Sequence, residues 1–225
     1  MRYFQVQNPQ IKKLAIGKII CLARTYKKHA NEMNSSIPES PLLFLKPASA
    51  VIFSKESIIV PDQSSCLHHE VELGVVIGKE GKNINVDDAL DVVFGYLVGL
   101  DITARDIQAE AKKNGWPWGI AKGFDTFAPL SEVVSKKRVN DPNDLMISLF
   151  VNDEIRQREN TVNLHWSVEE IISFVSSIMT LNEGDVILTG TPEGVNRIKN
   201  EDRLRGVLSK DSELCSLEVT VKKND

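Results

Sequence analysis

Glu70 and Glu72 stand in the segment His69-Glu70-Val71-Glu72-Leu73-Gly74-Val75-Val76-Ile77, where acidic and apolar residues alternate with the period of a strand. Successive strand side chains face opposite ways, so the two carboxylates share one face, about 7 Å apart, while Val71, Leu73 and Val75 enter the opposite layer. Like charges placed this way repel and are driven toward protonation unless a cation or several donors sit between them. A third acid, Asp101, ends the apolar run Gly95-Tyr96-Leu97-Val98-Gly99-Leu100, where a strand end opens toward solvent or a cleft. Three oxygen donors with no His or Cys among them suit a hard divalent cation, Mg²⁺ or Mn²⁺ rather than zinc, with Ca²⁺ as an alternative. The same pattern also fits the wet outer face of an amphipathic strand. His68 and His69 read as a loop end rather than as ligands.

A second constellation is His29 and Glu32 in Tyr26-Lys27-Lys28-His29-Ala30-Asn31-Glu32-Met33. Three residues apart on a helix, they share a face, so the carboxylate can orient the imidazole and raise its basicity. That arrangement suits a base that removes a proton from water, although a surface pair of this spacing also arises by chance. Lys122, in Ala121-Lys122-Gly123-Phe124-Asp125, is a third candidate. The fourth is the turn Thr189-Gly190-Thr191-Pro192-Glu193-Gly194, whose backbone N–H groups and Thr hydroxyl could bind an oxyanion or simply form a tight turn.

These groups need a scaffold, and periodicity predicts one rich in short strands: residues 18–23, 42–46, 58–60, 70–77, 94–100, 145–151, 154–158, 186–189 and 214–221. Asn152-Asp153 reads as a hairpin turn. Ser167 with Glu170 forms a capping box ahead of Ile171, Ile172, Phe174, Val175 and Ile178. A second helix is expected over 104–114, with Thr103 as N-cap, Asp106 in its first turn and Gly115 as its stop. A shorter third covers 26–33. Strands dominate without a βαβ alternation, which gives an α+β fold built on a mixed sheet with helices at its margins.

The chain has 225 residues, 27 Lys+Arg against 31 Asp+Glu, and 42% hydrophobic residues. Such a composition excludes disordered, collagenous and disulfide-scaffold classes and points to one domain over residues 1–225. A formal net charge of −4 argues against nucleic acid or anionic lipid as partner. Lys136-Lys137-Arg138 and Lys222-Lys223 read as solvated loop and tail charges. Cys21, Cys66 and Cys215 lack the spacing of a zinc knuckle or redox pair, which fits a reducing compartment. No uncharged run reaches the ~18 residues of a membrane span, and residues 1–9 have no apolar stretch of signal-peptide length. A cytoplasmic location is expected.

Taken in order, several segments resemble the fumarylacetoacetate hydrolase family, in particular its acylpyruvase and oxaloacetate decarboxylase branch. They are Arg24-Thr25-Tyr26 with His29 and Glu32, Pro41-Leu42-Leu43-Phe44-Leu45-Lys46-Pro47, His68-His69-Glu70-Val71-Glu72-Leu73, Asp101-Ile102-Thr103-Ala104-Arg105-Asp106, Lys122 with Phe124-Asp125, and residues 184–192 from Gly184-Asp185 to Thr191-Pro192. Two departures stand out. The family's Gly-Arg-Asn-Tyr is Ala23-Arg24-Thr25-Tyr26 here, and its Lys-Ser-Phe-Asp is Lys122-Gly123-Phe124-Asp125. Both leave the chemical groups in place and bear on substrate fit.

The resemblance implies the family's mixed β-sheet roll, a homodimer, and a Mg²⁺ or Mn²⁺ site at Glu70, Glu72 and Asp101. It implies small 2-oxo or 1,3-dicarbonyl acid substrates, hydrolysis of short acylpyruvates with water activated by His29 and Glu32, and oxaloacetate decarboxylation at the same centre. Lys122 would stabilise developing negative charge, while Arg24, Lys46, Gln108 and Thr191 would line the pocket around the substrate carboxylate. Alternatives are an oxaloacetate decarboxylase or keto-enol tautomerase with little hydrolase activity, and a non-catalytic, metal-stabilised binding protein.

Overall fold

The computed structural model describes residues 2–6, 14–32 and 36–223. Near the centre of a six-stranded mixed sheet runs Val71–Ile77, every residue of it buried. It pairs antiparallel on one side with Val93–Leu100, placing Glu72 opposite Gly99, and on the other with Val186–Leu188, placing Leu188 opposite Gly74. Ile19–Ala23 lies parallel to Val186–Leu188 and antiparallel to Leu42–Lys46, which forms one edge; Val134–Ser135 forms the other. The expected run 70–77 thus splits at Glu70, which lies between Leu67–His69 and Val71–Ile77.

A second, five-stranded sheet runs in the order Glu154–Asn160, Met146–Val151, Arg203–Ser209, Glu213–Lys223, Ser57–Val60. Its middle strand, Arg203–Ser209, is absent from the sequence reading. Gly206 interrupts the apolar alternation there, yet Leu204, Gly206 and Leu208 are all buried. The glycine faces the first sheet, where an added Cβ would come within 3.3 Å of Val98, so a missing side chain lets the two sheets approach. Asn152 and Asp153, at φ +51° and +67°, make the expected hairpin turn.

The capping box forms as expected: Glu170 N–H donates to Ser167 Oγ, and Ser167 N–H to Glu170 Oε2. The helix Val168–Ile178 buries Val168, Ile171, Ile172 and Val175. Gly115 closes helix Arg105–Asn114 in a left-handed conformation at φ +68°. Thr103 is not its N-cap. Thr103–Ala104 is a short strand beside Leu67–His69, and the Thr103 hydroxyl is held by other groups. His68 and His69, expected at a loop end, belong to that strand pair, and His69 is buried. Of the helix expected over 26–33, Lys27–Glu32 is helical and Met33 lies outside the described residues.

Leu73 is wholly buried on the face of its strand opposite Glu72. Leu73→Ala should therefore cost about 2–5 kcal/mol in urea unfolding. A loss below about 1 kcal/mol would contradict the packing described for this strand.

Candidate active site at a buried carboxylate cluster

Two paired strands deliver the acids to one point: Glu72 lies in Val71–Ile77, Glu70 just before it, and Asp101 just after Val93–Leu100. Ligand oxygens of Glu70, Glu72 and Asp101 lie within 4.8 Å of one another. The residues are 7%, 1% and 0% exposed, so a wet outer face is ruled out. At that separation two unit charges repel by roughly 3.5 kcal/mol even at an effective dielectric near 20, so the cluster requires compensation.

Cations supply much of it. Lys122, carried by the short helix Gly119–Gly123, donates to Glu70 Oε2 at 2.8 Å, Asp101 Oδ2 at 2.5 Å and Thr103 Oγ1 at 2.7 Å. Arg105 Nη2 reaches Glu70 Oε1 at 2.5 Å, and Nη1 reaches Gln108 Oε1 at 2.6 Å. Burial alone would raise the Glu70 carboxyl, but Lys122 and Arg105 override it and hold the group well below the usual carboxylate range. Burial likewise opposes charge on Lys122, yet Asp101 and Glu70 hold its ammonium above its ordinary value.

Glu72 is treated differently. It accepts from Gly190 N–H at 2.8 Å and has no ion pair among the described residues. Burial, then the charges of Asp101 and Glu70, push its carboxyl well above the ordinary value. Asp101 Oδ1 is equally telling. Lys46 Nζ lies 2.7 Å away, but that ammonium gives its three protons to the carbonyls of Ile102, Lys122 and Phe127 at 2.6–3.0 Å. Oδ1 is left buried without a hydrogen bond. A carboxylate lacking a cation, an orphaned carboxylate oxygen and an all-oxygen donor set fit a hard divalent ion.

Above the cluster opens a cleft lined by residues that include Arg24, His29, Glu70, Glu72, Gln108, Lys122 and Thr191. Six of the expected site residues thus share one wall or rim with Lys122. Glu32 sits behind His29, whose Nδ1 is 3.2 Å from Glu32 Oε2. A carboxylate only accepts, so Nδ1 carries the proton and Nε2 is the basic nitrogen. Glu32 in turn accepts from Gly194 N–H, which ties the 27–32 helix to the 189–194 turn. Arg24 is held at φ +60° at the end of strand Ile19–Ala23.

Lys46 is the misplacement. It does not line the cleft; it lies beneath Asp101 and ties the backbone of residues 102, 122 and 127 together. The proposed oxyanion turn is also partly committed, since Thr191 Oγ1 donates to the Val71 carbonyl and Gly190 N–H serves Glu72. Arg105, Lys112 and Gln157 are absent from the site residues expected from sequence, and Thr103 is expected there only as a helix cap. Arg105, Gln108 and Lys112 recur at helical spacing on one helix, a signal that was available. Gln157 had none: its amide bridges Val71 N–H and His69 Nδ1 on one side to Thr191 Oγ1 and the Pro192 carbonyl on the other.

Residues 18–222 match the profile of the fumarylacetoacetate (FAA) hydrolase C-terminal family. The chain belongs to the fumarylacetoacetate hydrolase family. Within it, the mitochondrial oxaloacetate tautomerase of Homo sapiens is 46% identical over 186 residues, covering 83% of this chain and 84% of that protein. The mitochondrial oxaloacetate decarboxylase of Dictyostelium discoideum is 44% identical over 183 residues, covering 81% and 84%. The crystal structure of fumarylpyruvate hydrolase from Pseudomonas aeruginosa in complex with Mn²⁺ and pyruvate superposes with a TM-score of 0.93 at 36% identity, covering 99% of this chain and 96% of that one. The α+β roll is therefore that of the fumarylacetoacetate hydrolase family, an enzyme family with hydrolase, isomerase and decarboxylase members. These two eukaryotic relatives are mitochondrial proteins. Among the described residues no helix is long and apolar enough to cross a membrane.

Gly190, at φ +98°, presents its N–H to Glu72, and an added Cβ would fall 2.0 Å from Thr25 Oγ1. Gly190→Ala should lower the melting temperature, at a cost of at least 1–3 kcal/mol on the order of other strained backbone positions. An unchanged melting temperature would mean that the turn does not hold Glu72 as described.

Proposed function

We propose that this protein is a divalent-metal-dependent enzyme that drives enolate chemistry on short 2-oxo acids. Oxaloacetate tautomerisation and decarboxylation are its leading activities, and hydrolysis of short acylpyruvates to pyruvate and a carboxylic acid is a further one. The observation that carries this reading is that Lys122, set among three buried carboxylates, and the oriented base His29 line the same cleft. Oxaloacetate is put first because the relatives named for it are 44% and 46% identical across most of both chains.

A cation held by Glu70, Glu72 and Asp101 would polarise the 2-oxo group and absorb developing negative charge. Lys122 adds a fixed positive charge beside the same oxygen, its position locked by Thr103 and two carboxylates. In tautomerisation His29 Nε2 takes a proton from C3, and the electron pair moves toward the 2-oxo oxygen, which gains a proton to give the enol. In decarboxylation the C3–C4 bond breaks without water, CO₂ leaves, and C3 is then protonated to give pyruvate. Hydrolysis is a second reading favoured by the His29 and Glu32 pair. There His29 takes a proton from water as its oxygen adds to the C4 carbonyl; cleavage of the C3–C4 bond then releases the carboxylic acid, and C3 gains a proton to give pyruvate. Residues from Arg24 to Thr191 meet in the cleft, which supports one catalytic unit.

His29→Ala, assayed with Mg²⁺ and with Mn²⁺, should lower tautomerisation of oxaloacetate and hydrolysis of acetylpyruvate by about 100-fold or more while oxaloacetate decarboxylation persists. Equal loss of all three would overturn the role given to His29. If the unaltered protein turned over no 2-oxo acid with either metal, and EDTA merely lowered its melting temperature, it would be a metal-stabilised binding protein.

A further inference from the structure

Two cations at the cleft are not used by the chemistry above. Lys112 and Arg24 both line it, and among the described residues neither has a carboxylate within ion-pair distance. The deeper cations are committed: Arg105 to Glu70, Lys122 to Glu70 and Asp101, and Lys46 to Asp101. Lys112 projects from the same face of helix Arg105–Asn114 as Arg105 and Gln108, following them at helical spacing. Three and four residues from it along the chain stand Ala109, Gln108, Gly115 and Trp116, so no acid on its own element can balance it. Its Nζ lies 5.3 Å from the centroid of the Trp118 ring, another cleft residue.

A helix C-terminus attracts cations, which would account for a lysine in this turn. It does not account for this one being turned into the cleft. Lys113 shares the same terminus and does not line the cleft. Lys112 is exposed at the rim, yet partial desolvation of its ammonium against the cleft wall, then the nearby charges of Arg105 and Arg24, depress it below its ordinary value. Positive charge is thus held at this rim against a local cost, and an anion there would relieve it. A divalent cation held by Glu70, Glu72 and Asp101 would add further positive charge, more than the single C1 carboxylate of a 2-oxo acid would offset.

We infer that Lys112, together with Arg24, binds a second carboxylate at the far end of the substrate, so that the site selects 2-oxo dicarboxylates over monocarboxylates of matching length. The inference rests on the 2-oxo acid reading of the cleft and names the residue that sets its charge preference. Oxaloacetate fits this class, as do acylpyruvates whose acyl group ends in a carboxylate.

Calorimetry on the Mn²⁺-loaded protein tests it without turnover. The ligands are 2-oxoglutarate and 2-oxopentanoate, which differ by a carboxylate in place of a methyl group. The dicarboxylate should bind more tightly to the unaltered protein. Lys112→Met should shrink that preference about tenfold, the scale of one charge-assisted hydrogen bond, and Lys112→Arg should retain most of it. In parallel, KM for fumarylpyruvate should rise relative to KM for acetylpyruvate in Lys112→Met, with kcat for the two changing alike. No preference in the unaltered protein, a preference untouched by Lys112→Met, or no binding of either ligand would overturn the inference. The broader reading fails on a different result, the absence of 2-oxo acid turnover in the unaltered protein.

Discussion

Three carboxylates share one buried point, and much of the surrounding structure answers the repulsion this creates. Glu70 is balanced by Lys122 and Arg105, and Asp101 by Lys122 with Lys46 beneath it. Glu72 receives only a backbone N–H from Gly190. The compensation is uneven in a way that invites a dication: one acid lacks a cation and one Asp101 oxygen lacks a hydrogen bond. Complete internal pairing would have made a structural ion-pair network with no need of a ligand.

Each compensating group comes from a different part of the chain, so the charge problem also ties the fold together. Lys46, on an edge strand, fastens the backbone of the 101–104 segment, the Lys122 helix and Phe127. Gln157, from the second sheet, clasps the 189–194 turn to the strand bearing Glu72. Glu32 joins the His29 helix to the same turn. His29 and the carboxylate cluster are therefore positioned by shared contacts, as expected of groups that are to meet a single small substrate.

Much of this was legible because it depends on local periodicity. Strand alternation placed Glu70 and Glu72 on one face, a three-residue helical spacing joined His29 to Glu32, and Ser167 with Glu170 marked its helix. What stayed hidden depends on where a long side chain goes in three dimensions. For Lys46 the family resemblance implies a pocket-lining role, whereas its three carbonyl partners lie far along the chain and leave no local trace. Gly206 concealed strand Arg203–Ser209 because its value is a close approach between sheets, not an intrinsic strand preference. Gly119 and Gly123 mask the short helix that carries Lys122 because glycine is a poor helix former. Thr103 looked like a cap, but bonding to Lys122 gave its hydroxyl a different use.

The claim on which the account turns is that the carboxylate cluster and the cleft above it form one metal and substrate site. Electron paramagnetic resonance of Mn²⁺ titrated into the protein tests this directly. The account predicts one tightly bound Mn²⁺ per chain, a bound-ion spectrum that changes when oxalate is added, and loss of the bound signal in Glu70→Gln at unchanged far-UV circular dichroism. A free-ion signal undiminished by the protein, or a bound signal indifferent to both oxalate and Glu70→Gln, would contradict it.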